Sequence, residues 1–187
     1  EFRRVLFRSL QENSYDVCLH FAGHTSVGES VRRPIMYFEN NVSQFPNFMS
    51  SIMFHGINNF IFSSSAAVYG KQKDNKPISE NDLLQPQNPY GRYFNVVGNN
   101  MEGKIGDYNF DKKENLVPMC LSVAAKLKPS IKIYGTDYDT KDGTCIRDYI
   151  HIDDIADAHI AVLDEIDNKC YNVGNGVGYS VRELVNS

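Results

Sequence analysis

The chain contains no stretch of roughly 18 consecutive apolar residues, so no helix is expected to span a membrane. Nor does it open on a charged-then-apolar leader with a small-residue cleavage site. Neither sign of charge dominates. Nineteen Lys and Arg against 23 Asp and Glu leave a net charge of −4, which gives no general pull on nucleic acid or anionic lipid. The four cysteines, Cys18, Cys120, Cys145 and Cys170, form no C-x-x-C pair. A disulfide framework or zinc site is therefore not expected, and the reducing cytoplasm is the expected compartment. The five histidines show no H-E-x-x-H spacing. His151, Asp153, Asp157 and His159 straddle a predicted helix start, where the aspartates read as cap and first-turn charges, and no metal is expected. What remains is ordinary globular usage, with 42% hydrophobic and 22% charged residues. A length of 187 suits one domain, or one domain with part of a second.

The first ten residues, with arginines at positions 3, 4 and 8, do not read like the rest. They are read as a non-native scar, with a frayed terminal helix as the alternative. Residues 16–21 form a short apolar run ending at Ala22-Gly23, which predicts a buried strand and a turn. Residues 30–54 carry Ile35, Phe38 and Val42 at helical spacing, with Pro46 expected to kink or divide the helix and Gly56 to cap it. Residues 59–62 are a second apolar run leading into three serines. Strand, helix, strand with short joins predicts a parallel βαβ unit. Further on, the pattern predicts a helix over 116–127 and strands over 131–134, 144–152 and 170–173. A helix is expected after Asp153 or Asp154, its apolar stripe formed by Ile155, Ala158, Val162 and Ile166. Ser180 and Glu183 form a capping box that opens the last helix.

Ser65 follows the carboxyl end of a predicted parallel strand, the edge where open α/β sheets bind ligands. Tyr90 lies 25 residues later in Asn88-Pro-Tyr-Gly91. The two could form a hydroxyl pair, a tyrosine as acid or base and a serine orienting the same substrate oxygen. Residue type alone leaves ordinary turn roles open for both. Gly174-Asn-Gly-Val-Gly178 stands between a strand and a capped helix, but its G-x-G-x-G spacing is one residue short of a dinucleotide fingerprint, and a plain turn is expected. Cys145 has no nearby base in sequence and reads as an inert thiol.

An ordered set of motifs carries a resemblance. It comprises His20-Phe-Ala-Gly23, Val27-Gly-Glu-Ser30, Tyr37-Phe-Glu-Asn-Asn-Val42, Phe60-Ile-Phe-Ser-Ser-Ser65 and Val68-Tyr-Gly70. Pro89-Tyr-Gly91, Arg92-Tyr-Phe-Asn95 and the stretch from Asp142 to His151 continue it. From about Asp16 onward the chain resembles the extended short-chain dehydrogenase/reductases, and among them the UDP-glucose 4-epimerase family. The resemblance implies an α/β fold: part of a Rossmann-type doubly wound parallel sheet that holds NAD, over residues 11–95. It also implies part of a smaller nucleotide-sugar region over 96–187, interleaved with the first. It implies interconversion of UDP-glucose and UDP-galactose through a 4-keto sugar, and a homodimer for an intact member. Ser65 and Tyr90 would be catalytic, while Phe21, Ala22, Gly23, Asn40 and Phe94 would border NAD. Asn95, Asn115 and Arg147 would hold the UDP-sugar, with Arg147 on the diphosphate, for which a planar fork of donors is suited.

The chain also departs from that family. Thr25 stands where the family has a lysine, and the Gly-rich fingerprint of its first strand does not precede residue 16. Four residues past the tyrosine the family places another lysine, on the same helical face; here that residue is Phe94. Pro89-Tyr-Gly91 runs directly into Arg92-Tyr-Phe-Asn95, as though on the order of 25 residues, about a helix and a strand, were deleted. The chain as written is therefore expected to be inactive. A related dehydratase is the neighbouring reading, against which Ala66-Ala67 stand beside Ser65. A non-catalytic remnant is the reading from a different class.

Overall fold

The computed structural model describes residues 2–70, 76–86, 95–98 and 115–187, and the side chains of all these except 2–6 and 27. The chain divides into two compact units. One takes residues 1–93 with 163–172, and the other takes 94–162 with 173–187.

In the first unit, β1 (Val17–His20) pairs in parallel with β2 (Asn59–Phe62), Val17 against Asn59 and His20 against Phe62. The crossover between them is helical, as a parallel pair requires. It is built of α2 (Val27–Arg32), α3 (Pro34–Phe38), a π-helical turn (Glu39–Ser43) and α4 (Phe45–Phe54). The expected division at Pro46 is present, between the π-helical turn that ends at Ser43 and α4 that starts at Phe45, and a further break falls at Pro34. Pro34 starts α3, and Pro46 lies in the first turn of α4, where a missing N–H breaks no helical bond. Gly56 follows α4 in the left-handed conformation, with its N–H on Met53 O. Of residues 1–10, read as a scar or else as a terminal helix, the described ones are helical, in α1 (Phe2–Glu12). Its Leu10 is buried with Ile52 and Ile57, against Cys18, Phe48, Met49 and Phe60. Burying one such aliphatic side chain contributes about 1.5–3 kcal/mol, and this cluster fastens the helices to the sheet.

In the second unit, β3 (Asn95–Val97) runs parallel to β4 (Ile146–His151), and β4 runs antiparallel to β5 (Gly178–Ser180). Three helices belong to it: α5 (Leu116–Ala124), α6 (Ile152–Leu163) and α7 (Val181–Asn186). Asp153 and Asp154 lie inside the first turn of α6 and do not cap it. The strand runs into the helix without a break, and His151 Nδ1 accepts the Asp153 N–H at 3.2 Å in the role of a cap. Ile166 falls beyond the end of that helix. The strands expected at 131–134 and 170–173 are irregular chain.

The capping box at Ser180 is present, and it is tied to an earlier turn. Asp142 accepts the Thr144 N–H at 2.8 Å, the Thr144 hydroxyl at 2.6 Å and the Ser180 hydroxyl. Lys141 pairs with Glu183 across the same junction. The Ser180 and Thr144 hydrogen bonds hold the Asp142 carboxyl down at about 2, against its ordinary 3.8. A carboxylate whose folded pKa is depressed contributes stability that is complete above its unfolded pKa and is lost as the pH falls through the folded one. Asp142→Asn is therefore expected to lower the thermal midpoint at pH 6 and to change it little near pH 2. Melts from about pH 2 to pH 7 check this, and parallel curves for the two proteins would contradict it.

Candidate functional site

β1 and β2 are parallel and in register, so the turn after each emerges at the same carboxyl edge. Phe21, Ala22 and Gly23 follow β1, and Ser63 to Ser65 follow β2. The ladder continues one step past the strands, through the Ser63 N–H to His20 O at 3.3 Å. Gly23 and Ser65 thus share the edge that sequence assigned to them.

Ser65 is 6% exposed and caps a 3₁₀ turn, Ala66–Tyr69, its Oγ accepting the Ala67 N–H at 3.1 Å. An accepted backbone bond fixes Oγ in place and leaves the hydroxyl proton available for a substrate oxygen. Tyr90 and Phe94 lie outside the described residues.

The turn after β1 is held by a residue that sequence reading did not assign. Asn41 Oδ1 accepts the His24 N–H at 2.8 Å, and Asn41 Nδ2 donates to His24 O at 3.1 Å. Asn40 donates to the same Oδ1 at 2.9 Å. Tyr37, 1% exposed, adds a second brace from the same helical run. Its hydroxyl accepts the Ser26 N–H at 2.9 Å and donates to Glu29 Oε2 at 3.3 Å. Burial, with Glu29 beside it, pushes the Tyr37 phenol above its ordinary value, so it remains a neutral donor. The sequence signal was the Asn40-Asn41 doublet, of which only the first had been assigned. A cleft of about 370 Å³ opens against this turn, lined among others by His20, Ala22, Asn40, Asn41 and Phe48. His20 projects among the rings of Phe45, Phe48, Phe60 and Phe62, with centroids 5.0–5.9 Å away.

In the second unit, Asn95 and Arg147 occupy neighbouring strands. Asn95 pairs with Tyr149, and period-two alternation puts Arg147 on the same face as Tyr149. Asn95 Nδ2 donates to Asp148 O at 3.0 Å. Arg147 is exposed, and among the described residues no carboxylate forms an ion pair with it. Burial raises the pKa of Tyr149, and the Arg147 charge acts in the opposite direction. Asn115 stands at the N-cap of α5, its side chain making no capping bond.

The Gly174–Gly178 turn has its donors filled from within. Asp148 accepts the Asn175 N–H at 3.1 Å and the Gly176 N–H at 2.9 Å. A Cβ at residue 174 would lie 2.5 Å from Asp148 Oδ2, which explains the glycine there without any ligand. His159 Nδ1 lies 2.7 Å from Ile155 O within its own helix.

Two family models match the chain. One described as GDP-mannose 4,6 dehydratase covers residues 3–93, and one described as the NAD dependent epimerase/dehydratase family covers 90–174. They meet where the sequence runs from Tyr90 directly into Asn95. UDP-glucose 4-epimerase 2 of Arabidopsis thaliana is 38% identical over 213 residues, spanning 98% of this chain and 61% of the relative. That alignment is 26 positions longer than this chain of 187. UDP-glucose 4-epimerase 3 of Oryza sativa subsp. japonica is 41% identical, spanning 91% of this chain and 54% of the relative. Among solved structures, the UDP-glucose-4-epimerase of Stenotrophomonas maltophila, with bound NAD and formylated UDP-arabinopyranose, superposes with a TM-score of 0.89. It is 35% identical, with 98% of this chain and 63% of that one covered. The enzyme of Bifidobacterium longum, in complex with NAD+ and UDP, gives 0.86 at 38% identity, covering 96% and 62%. The chain spans less than two thirds of the length of these relatives.

Proposed function

The chain belongs to the UDP-glucose 4-epimerase family, and on that premise we propose that its residues serve the interconversion of UDP-glucose and UDP-galactose. The observation that carries the reading is the shared carboxyl edge of β1 and β2, with the braced turn at 21–24 and the capped Ser65 both on it. A dinucleotide fits what is there. The His24 backbone next to Gly23 is fixed by Asn41, and the cleft beside it is lined by His20, Phe45, Phe48, Asn40 and Asn41 among others. Phe21, Ala22, Gly23 and Asn40 would hold NAD, with Phe94 beside its nicotinamide. Bound there, NAD would supply the hydride acceptor, and then the hydride donor, for oxidation of the sugar at C4 and reduction of the 4-keto sugar on its other face.

The protein's part in that reaction is to hold and move a proton. Tyr90 would take the proton of the sugar 4-hydroxyl, and Ser65 would hold the same oxygen through the hydroxyl proton that its cap leaves available. Arg147 would offer the UDP diphosphate an exposed guanidinium that pairs with no carboxylate among the described residues, and Asn95 and Asn115 would bind the remainder of the nucleotide-sugar. A second copy of the chain is proposed as partner. Val31, Ile35, Phe38 and Val42 recur at helical spacing and are 52–72% exposed, an apolar stripe suited to a homodimer interface. Four free cysteines support the cytoplasm as its location. Among the described residues no helix is long and apolar enough to cross a membrane.

Calorimetric titration with UDP and with NAD tests the reading. UDP is expected to bind, and Arg147→Ala to weaken it by about 10- to 100-fold, the worth of a charge-assisted hydrogen bond. Binding of UDP that ignores Arg147→Ala removes that residue from the diphosphate. Failure of both ligands to bind overturns the assignment.

A further inference from the structure

We infer that Asn41 is a positioning residue for the dinucleotide, acting through the main chain of His24. The inference rests on the cofactor reading above and deepens it. Of the side chains around the turn after β1, Asn41 alone bonds both the N–H and the C=O of one turn residue among the described residues, at 2.8 and 3.1 Å. An amide that bonds both the N–H and the C=O of one residue acts as a short strand partner and ties down the two peptide groups that flank it. The approach is close: a Cβ at residue 23 would lie 3.1 Å from Asn41 Oδ1.

The same oxygen accepts the Asn40 amide at 2.9 Å, so Asn41 also aims the neighbouring side chain assigned to NAD. Asn40, Asn41 and Ala22 line one cleft, and both asparagines belong to a π-helical turn. The extra residue of a π turn rotates successive side chains relative to an α-helix. Here two adjacent asparagines reach toward one strand end. Turn, neighbouring amide and cleft thus depend on a single side chain that need not touch the ligand.

A structural role can be separated from a positioning role, because the same sheet has an asparagine brace at its opposite edge. Asn59 Nδ2 donates to Asp16 O at 3.2 Å, at the amino end of the strand pair. The experiment compares Asn41→Ala, Asn41→Asp and Asn59→Ala in the full 187-residue chain. It reads NAD affinity by calorimetry and amide hydrogen exchange at His24. Loss of two hydrogen bonds is expected to weaken NAD binding roughly tenfold in Asn41→Ala and to speed His24 exchange. Asn41→Asp, which keeps an acceptor for the His24 N–H, should recover exchange protection and part of the affinity. Asn59→Ala should leave NAD affinity unchanged.

Faster His24 exchange with unchanged NAD affinity overturns the inference while leaving the cofactor site standing. So does an equal loss of affinity in Asn59→Ala, which would show a general loosening of the sheet. No NAD binding by the unaltered chain overturns the cofactor reading, and this inference with it.

Discussion

Supplied with NAD and UDP-galactose, the purified 187-residue polypeptide is expected to form no measurable UDP-glucose. A free phenol has a pKa near ~10, so only about one in a thousand is ionised at neutral pH. A base of that kind needs a neighbouring cation to lower its pKa. Four positions past Tyr90 in sequence the residue is Phe94, which carries no charge, and Thr25 stands where the resemblance implies a second lysine. A positioned general base is typically worth about 100-fold or more, and one left protonated forfeits most of that. A rate near that of an intact relative, followed by UDP-glucose formation, would refute the argument.

The largest stability effect is expected at Gly70. Its φ of +68° and ψ of −149° lie in a region that essentially only glycine enters. A Cβ there would stand 2.0 Å from Gln85 O and 3.0 Å from Gln85 C, both backbone atoms. The segment at Gln85 cannot move away freely, because the Gln85 N–H is bonded to Val68 O at 2.8 Å. Gly70→Ala therefore combines backbone strain of about 1–3 kcal/mol with a clash that must displace main chain. A urea melt followed by circular dichroism should lose most of its pre-transition baseline. Gly28→Ala is the contrast: a Cβ there meets nothing nearer than an arginine tip at 4.0 Å, inside α2. It should stabilise by up to about 1 kcal/mol. If both variants melt like the parent, the Gly70 turn is not held as described.

The βαβ unit was legible because its signals are local. Residues 17–20 and 59–62 are short apolar runs closed by Ala-Gly and by serines, and only a long crossover joins them. Elements decided by partners were not legible. Ile131 to Tyr134 alternates like a strand, yet it has no ladder among the described residues, and Tyr134 is 77% exposed. Residues 170–173 are diverted because Asn172 bonds Tyr69, Glu80 and Ile78 instead of a strand. α1 was set aside on its composition, although Leu10 carries it into the core. In the site, Ser65 and the turn at 21–23 could be placed from strand ends. Asn41 could not, since its role depends on a π turn that has no sequence signature and on bonds to a residue 17 positions away.

β4 presents opposite charges on opposite faces: Arg147 opposite Tyr179, and Asp148 engaged by the Asn175 and Gly176 N–H groups. A slip of β4 by one residue against β5 would exchange them. The guanidinium would then face two backbone donors that it cannot bond, and the carboxylate would face the place proposed for a diphosphate. Both errors cost energy through like-sign contact, one inside the protein and one with the ligand. The strand pair is thus proofread by electrostatics as well as by its pleat, and ligand recognition and strand alignment are enforced by the same two adjacent residues.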